Sequence, residues 1–87
     1  MLRIVADSAH SGVALRLEGN VVGPWVETLR RCADDALTTG AALVVDLSRV
    51  AFVDGDGLEV LRALAAAGAS LVNASPFVTE QLKAERP

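Results

Sequence analysis

Two carboxylates and two glycines share four consecutive positions, Asp54-Gly55-Asp56-Gly57, within the stretch FVDGDGLEVL. They stand where a strand-like run passes into a helix-like one, a place suited to metal binding, phosphate cradling, phosphoryl chemistry or helix capping. A calcium loop counted from Asp54 finds Asp56 at its third position. It then meets Leu58 at the fifth, Glu59 where the sharp turn needs glycine, and Ala65 where a bidentate Glu belongs. A glycine-rich turn opening a helix binds anions through free N–H groups. Here two carboxylates repel a phosphate, and no Lys stands nearby as in a P-loop. A phosphoacceptor aspartate belongs at the end of a central strand, and Asp46 ends the run ALVVD. That chemistry also needs an acidic pair after the first strand and a lysine after a late one. Asp7 is single, and Lys83 falls inside the last helical run.

Capping accounts for both acids without any of this. Asp54 is a suitable N-cap, and Asp56 meets the positive end of the helix dipole. Neither effect explains the glycines, which weaken a helix start. Something approaches the backbone at Gly55 and Gly57, or the turn needs unusual dihedrals. The remaining reactive side chains are scattered. His10 lies in a turn without partner acids or cysteines, so a solvated histidine is expected. Cys32 falls on an apolar helix face and reads as a buried, inert thiol. Trp25 reads as a core or helix-start anchor, and Ser48 as a turn residue that is also the hydroxyl nearest the acidic turn. A hydrolase site needs a His beside a nucleophile, which this chain does not offer.

Periodicity supplies the elements around the turn. LRIVAD (Leu2–Asp7) and VALRLEG (Val13–Gly19) are β-rich, and Val13, Leu15 and Leu17 alternate with Ala14, Arg16 and Glu18. The turn residues between them predict a hairpin; EGNVVGP then breaks the pattern. Pro24 suits a first helical turn. Trp25 or Val26, Leu29, Cys32 or Ala33, and Ala36 or Leu37 recur at helical spacing up to Gly40. AALVVDL is a continuous apolar run, expected to be a central strand covered on both faces. SRVAFVD reads as a loop with a short extended piece. Leu58, Leu61, Leu64 and Ala65 mark a second helix stopped at Gly68, ASLVNA a short strand, and Ser75 the cap of a last helix from Pro76 with Glu80 as first-turn charge.

Strands alternating with helices predict a largely parallel sheet, made mixed by the opening hairpin. Residues 1–87 are read as one domain. A chain this short buries only roughly 60–65% of its unfolded surface. Hydrophobic residues are 52% and aromatics 3%, so Val, Leu and Ala must build the core. Eight basic against eleven acidic residues give a net charge of −3, which argues against nucleic acid as a partner. The single cysteine allows no internal disulfide and suits a reducing compartment. The first residues lack a signal-peptide h-region, and no apolar run reaches the ~18–20 residues of a membrane span. A soluble cytoplasmic protein is expected, with no cofactor, metal or direct membrane insertion.

As a unit, LVVDLSRVAFVDGDGLEVLRAL resembles the signature of STAS domains, the family of anti-sigma factor antagonists and sulfate-transporter C-terminal domains. Asp46, Leu47, Ser48, Val50, Phe52, Asp54, Gly57 and Leu58 fall in the matching places, and NASPFVTEQL looks like the family's later strand and helix. The resemblance implies a single small α/β domain. It has a mixed sheet of about four strands and three helices, mostly on one face, and is shorter than typical members. It implies a bacterial, non-enzymatic module of transcription regulation that binds a protein partner, an anti-sigma factor or serine kinase. The partner surface carried over is Ser48, Asp54, Gly55, Asp56, Gly57 and Leu58, with the following helix. In the family a serine directly after the Asp is the phosphorylation switch. Gly55 stands there, so no phosphorylation is expected. Stand-alone STAS proteins also resemble cytosolic subunits of ABC-type lipid transport complexes, for which the partner is a transporter ATPase or permease. Family members usually add a strand and a helix after the point reached here at Lys83. A sheet edge left uncovered in this way invites pairing, and a homodimer is an expectation.

Overall fold

The computed structural model describes residues 2–9 and 12–83; His10, expected in a solvated turn, lies outside them. The chain runs β1 (Leu2–Ala9), β2 (Gly12–Val21), α1 (Pro24–Thr38), β3 (Ala42–Val53), α2 (Gly55–Ala66), β4 (Ser70–Val72) and α3 (Pro76–Lys83). The sheet order is β1-β2-β3-β4. β1 is antiparallel to β2, while β2–β3 and β3–β4 are parallel. The expected α/β domain, with a mixed four-stranded sheet and three helices, is therefore present.

One face of the sheet carries the core. Leu15 and Leu17 on β2, Val45, Leu47 and Val53 on β3, Leu29 on α1, Leu61 on α2 and Val78 on α3 are all essentially inaccessible and belong to one cluster. The helical ambiguities resolve to Val26, Leu29, Ala33 and Ala36 as the buried stripe of α1. Trp25, Leu37 and Cys32 pack half-buried at its margin, so the cysteine is less covered than its spacing implies. The other face holds registered rows with charged residues at their centre. Arg3, Glu18 and Arg49 form one row, and Val5, Arg16, Asp46 and Val72 the next. Side chains in register share a face, so these rows stand on the side that the helices leave open.

That open face corrects the expectation of a doubly covered β3. Leu43, Val45 and Leu47 are buried, whereas Val44 and Asp46 are only half-buried. Two further corrections concern length. Ser48–Val53 is strand rather than loop, and β2 continues through Val21 instead of ending at Gly19. Register shifts between Arg16 and Glu18, and between Gly19 and Asn20, explain both. Each bulge inserts a residue and breaks period-two alternation. The buried positions of β3 then run Leu47, Val50, Val53, a spacing of three that does not read as a strand. ASLVNA contracts to a three-residue strand. Ser75 does cap α3, its Oγ accepting the Val78 N–H at 3.2 Å. Glu80 lies beyond the first turn. Among the described residues no helix is long and apolar enough to cross a membrane.

Candidate functional site

β3 delivers Asp54 to the start of α2, and the backbone around it converges on that one carboxylate. Oδ1 accepts the Gly57 N–H at 2.8 Å, the capping bond expected from sequence. Oδ2 accepts the Gly23 N–H at 2.9 Å from the β2–α1 connection. The Asp54 N–H donates to the Val21 carbonyl at 3.1 Å. One residue thus ties together the ends of β2 and β3 and the starts of α1 and α2. With an N–H donor on each oxygen, the carboxylate is committed to the backbone rather than turned towards a cation. Among the described residues no group of three His, Cys, Asp or Glu side chains is arranged to hold a metal.

The close approach expected at both glycines is present at Gly57 and absent at Gly55, whose φ is not positive either. A Cβ on Gly57 would lie 2.7 Å from the Val21 carbonyl oxygen and 2.7 Å from Val53 Cγ1, so the helix start packs directly onto the strand ends. A Cβ on Gly55 would meet nothing within 4 Å. Gly55 and Asp56 are exposed, and Leu58 is half-buried against the core. The turn is therefore anchored from beneath by Asp54 and Gly57 and open above Gly55.

Beside it stand two phenylalanines, Phe52 of the motif and Phe77 of the later helix, which nothing in the sequence assigns to the surface. Phe52 is 42% exposed and Phe77, on the first turn of α3, is 56% exposed. Their rings are stacked, with centroids 6.4 Å apart and planes at 27°. They are the large hydrophobic side chains exposed among the described residues. Gln81 holds α3 to the same strand end, its Nε2 donating to the Val53 carbonyl at 2.9 Å. The usable signal was that Phe52 and Phe77 are two of only three aromatics in the chain.

Ser48 does not join this cluster. It is exposed, six residues upstream on β3, a separation on the order of 20 Å along a strand. Its N–H donates to Asp46 Oδ1 at 2.9 Å. Asp46 itself stands inside β3 rather than at its end, because the strand runs on to Val53. The phosphoacceptor geometry that ALVVD suggested is therefore not built.

Both carboxylates are held below the usual range. For Asp54 the cause is the backbone N–H of Gly23, then that of Gly57. For Asp46 it is first the Ser48 backbone N–H, then the Ser48 side chain, with smaller help from Asn73 and Arg16. A folded value depressed below the unfolded one gives stability that is fully present above the unfolded pKa, about 3.9, and is lost as pH falls through the folded value. Stability is expected to fall below about pH 4. Asp54→Asn and Asp46→Asn should each flatten that fall when denaturant midpoints at pH 7 and pH 3 are compared. Asp54→Ala, which removes the cap as well, should lower the melting temperature by about 5 °C. An unchanged melt would mean that the helix start is held without it.

The family model described as "Mlab, STAS domain" matches residues 4–84. The chain belongs to the STAS domain family. Solved STAS structures resemble it over most of its length. The anti-sigma factor antagonist SpoIIAA in its unphosphorylated form is 25% identical, with a TM-score of 0.71, over 95% of this chain and 84% of that one. The Bacillus cell fate determinant SpoIIAA in the phosphorylated form is 23% identical (TM-score 0.67, 93% and 81% covered). An antisigma-factor antagonist STAS domain from Rhodobacter sphaeroides shares the fold at 19% identity (TM-score 0.63, 86% and 92% covered). No curated protein matches the sequence. In this STAS domain the Asp54–Leu58 turn sits where strand and helix meet at one end of the sheet, beside the exposed aromatic pair.

Proposed function

We propose that this STAS domain is a non-enzymatic regulatory module that binds a protein partner through the Asp54–Leu58 turn and α2, without a phosphorylation switch. Family membership and the likeness to anti-sigma factor antagonists support a regulatory role in protein interaction. The observation that carries the reading is the exposed Phe52–Phe77 stack beside a turn fixed by Asp54. Two water-exposed rings in a chain so poor in aromatics are costly surface unless a partner covers them. Aromatics anchor interface hot spots, and a preformed turn loses little entropy on docking. The turn presents backbone and carboxylates rather than a nucleophile with its base, which suits recognition and not catalysis.

Gly55 takes the place of the family's serine and has no hydroxyl. Asp56 supplies one permanent charge where a phosphoserine adds about −1.5 to −2, and it sits about 100° further round the helix. It copies the phosphate poorly in both charge and direction. Partner binding is then constitutive or set by expression level. Ser48 is the one hydroxyl between Ser48 and Leu61. Peptide mapping of protein from native cells should find no phosphate in that window; a phosphate there would sink the unswitched reading.

A second reading, a small subunit of an ABC-type lipid transport complex, is favoured by the same glycine. A subunit held permanently in a complex needs no modifiable residue at a position where the structure leaves room for one. Affinity purification from native cells with mass spectrometry separates the two. An anti-sigma factor or serine kinase supports the first, and a transporter ATPase or permease the second. Gly55→Glu places a charged side chain into open space, so the fold should survive while capture fails. Undiminished capture by that variant would exclude the turn as the interface.

A further inference from the structure

We infer that β1 is a self-association edge, on which a second copy of this chain pairs antiparallel with Val5 opposite Val5 of its partner. This goes beyond the partner surface at α2, which lies at a different part of the domain. β1 is the terminal strand of the sheet, eight residues long, and pairs with β2 without a register shift. The bulges that twist this sheet lie between β2 and β3. The opposite edge, β4, has only three residues. Proteins guard long edges with proline, bulges or charged side chains, lysine above all; β1 has no proline, lysine or bulge, and the charges it carries are Arg3 and Asp7.

Its charges, moreover, fit themselves. Arg3, Val5 and Asp7 point to the open face and are spaced evenly, positive, neutral, negative. Antiparallel pairing centred on Val5 puts each Arg3 opposite the other copy's Asp7. Parallel in-register pairing would instead set like charges side by side, so the pattern selects one orientation. It also extends a ladder already on the sheet. The row Arg49, Glu18, Arg3 alternates in sign and ends at the edge on a positive charge, with Arg3 Nη1 3.9 Å from Glu18 Oε1. The second copy's Asp7 continues the alternation. On the core face Ile4 would meet Ala6. Ile4 is half-buried and Ala6 exposed, so the helical layer stops short of this edge and leaves room for a neighbour. A two-fold axis through Val5 makes the contact isologous and closed, giving a dimer rather than a fibre.

Sedimentation over a concentration series tests this with the full chain. The wild type should show a monomer–dimer equilibrium that weakens with salt. Arg3→Asp sets two acids opposite each other, and Asp7→Arg two bases. Each variant alone should self-associate about tenfold more weakly or worse, as expected for two exposed ion pairs turned into repulsions. An equimolar mixture of the two should pair again, because each then faces its opposite. Register is read by cross-linking in a Cys32→Ser background. Val5→Cys should form an intermolecular disulfide with itself, the facing Cα atoms of an antiparallel pair being about 4.5–5.5 Å apart. Arg3→Cys and Asp7→Cys should cross-link only when mixed. A monomer at every concentration, variants that associate like the wild type, or self-cross-linking of Arg3→Cys would each overturn the inference.

Discussion

Gly57→Ala is expected to destabilise the domain by about 1–3 kcal/mol, a drop in melting temperature of around 10 °C. The added methyl would stand 2.7 Å from the Val21 carbonyl oxygen and 2.7 Å from Val53 Cγ1, with Val21 Cγ1 at 3.0 Å. Val21 and Val53 are fully buried, so neither can move aside cheaply. The carbonyl is further fixed because it accepts the Asp54 N–H. Relief requires α2 to lift away from the strand ends, which strains the Asp54–Gly57 bond. Gly55→Ala is the control. Its Cβ meets nothing, and alanine is the better helix former, so that variant should be neutral or more stable by about 0.5–1 kcal/mol. Denaturant melts of the pair decide the matter. Equal effects would mean that the contact at Gly57 is not what keeps a glycine there.

The contrast between these two glycines marks how far the sequence could be read. That the backbone near Asp54 is either closely approached or unusually turned followed from helix propensity alone, because two glycines at a helix start need a reason. Which glycine is approached depended on Val21, a residue distant in the chain and brought close by the parallel pairing of β2 with β3. The cap was legible because Asp54 and Gly57 are neighbours in sequence. The second half of Asp54's role was not, since the Gly23 N–H arrives from another element. Strand length failed for a related reason. Alternation identifies a strand only while pairing is regular, and the shifts beside Arg16 and Gly19 turn Leu47, Val50 and Val53 into a spacing of three. A continuous apolar run likewise signals burial but does not say on how many faces. Val44 is apolar yet half-buried on the side shared with Arg16 and Asp46. Phe52 and Phe77 belong to separate elements, and only the packing of α3 against β3, held by Gln81, places their rings together.

Replacing both rings should weaken partner binding by about 2 kcal/mol or more, roughly 30-fold, while leaving the fold intact. The two effects separate because the rings are half in water before any partner arrives. Phe52 is 42% and Phe77 56% exposed, so truncating them opens no cavity of the kind that a buried leucine would leave. A partner that covers the pair removes the remaining ring surface from water, and that gain is absent from the free domain's stability. Phe52→Ala and Phe77→Ala should also be non-additive in binding, since the stacked rings form one contact surface and the first truncation already breaks it. Titration calorimetry with the partner recovered from native cells, alongside thermal melts of the free domain, reads both quantities. Binding unchanged by the double substitution would exclude the aromatic pair from the interface, even if Gly55→Glu still abolished capture. Loss of binding together with a large fall in melting temperature would instead show that the rings hold α3 to β3. Gln81 gives that packing an anchor independent of the rings, donating to the Val53 carbonyl from one helical turn beyond Phe77. For that reason binding, and not stability, is the property expected to fall.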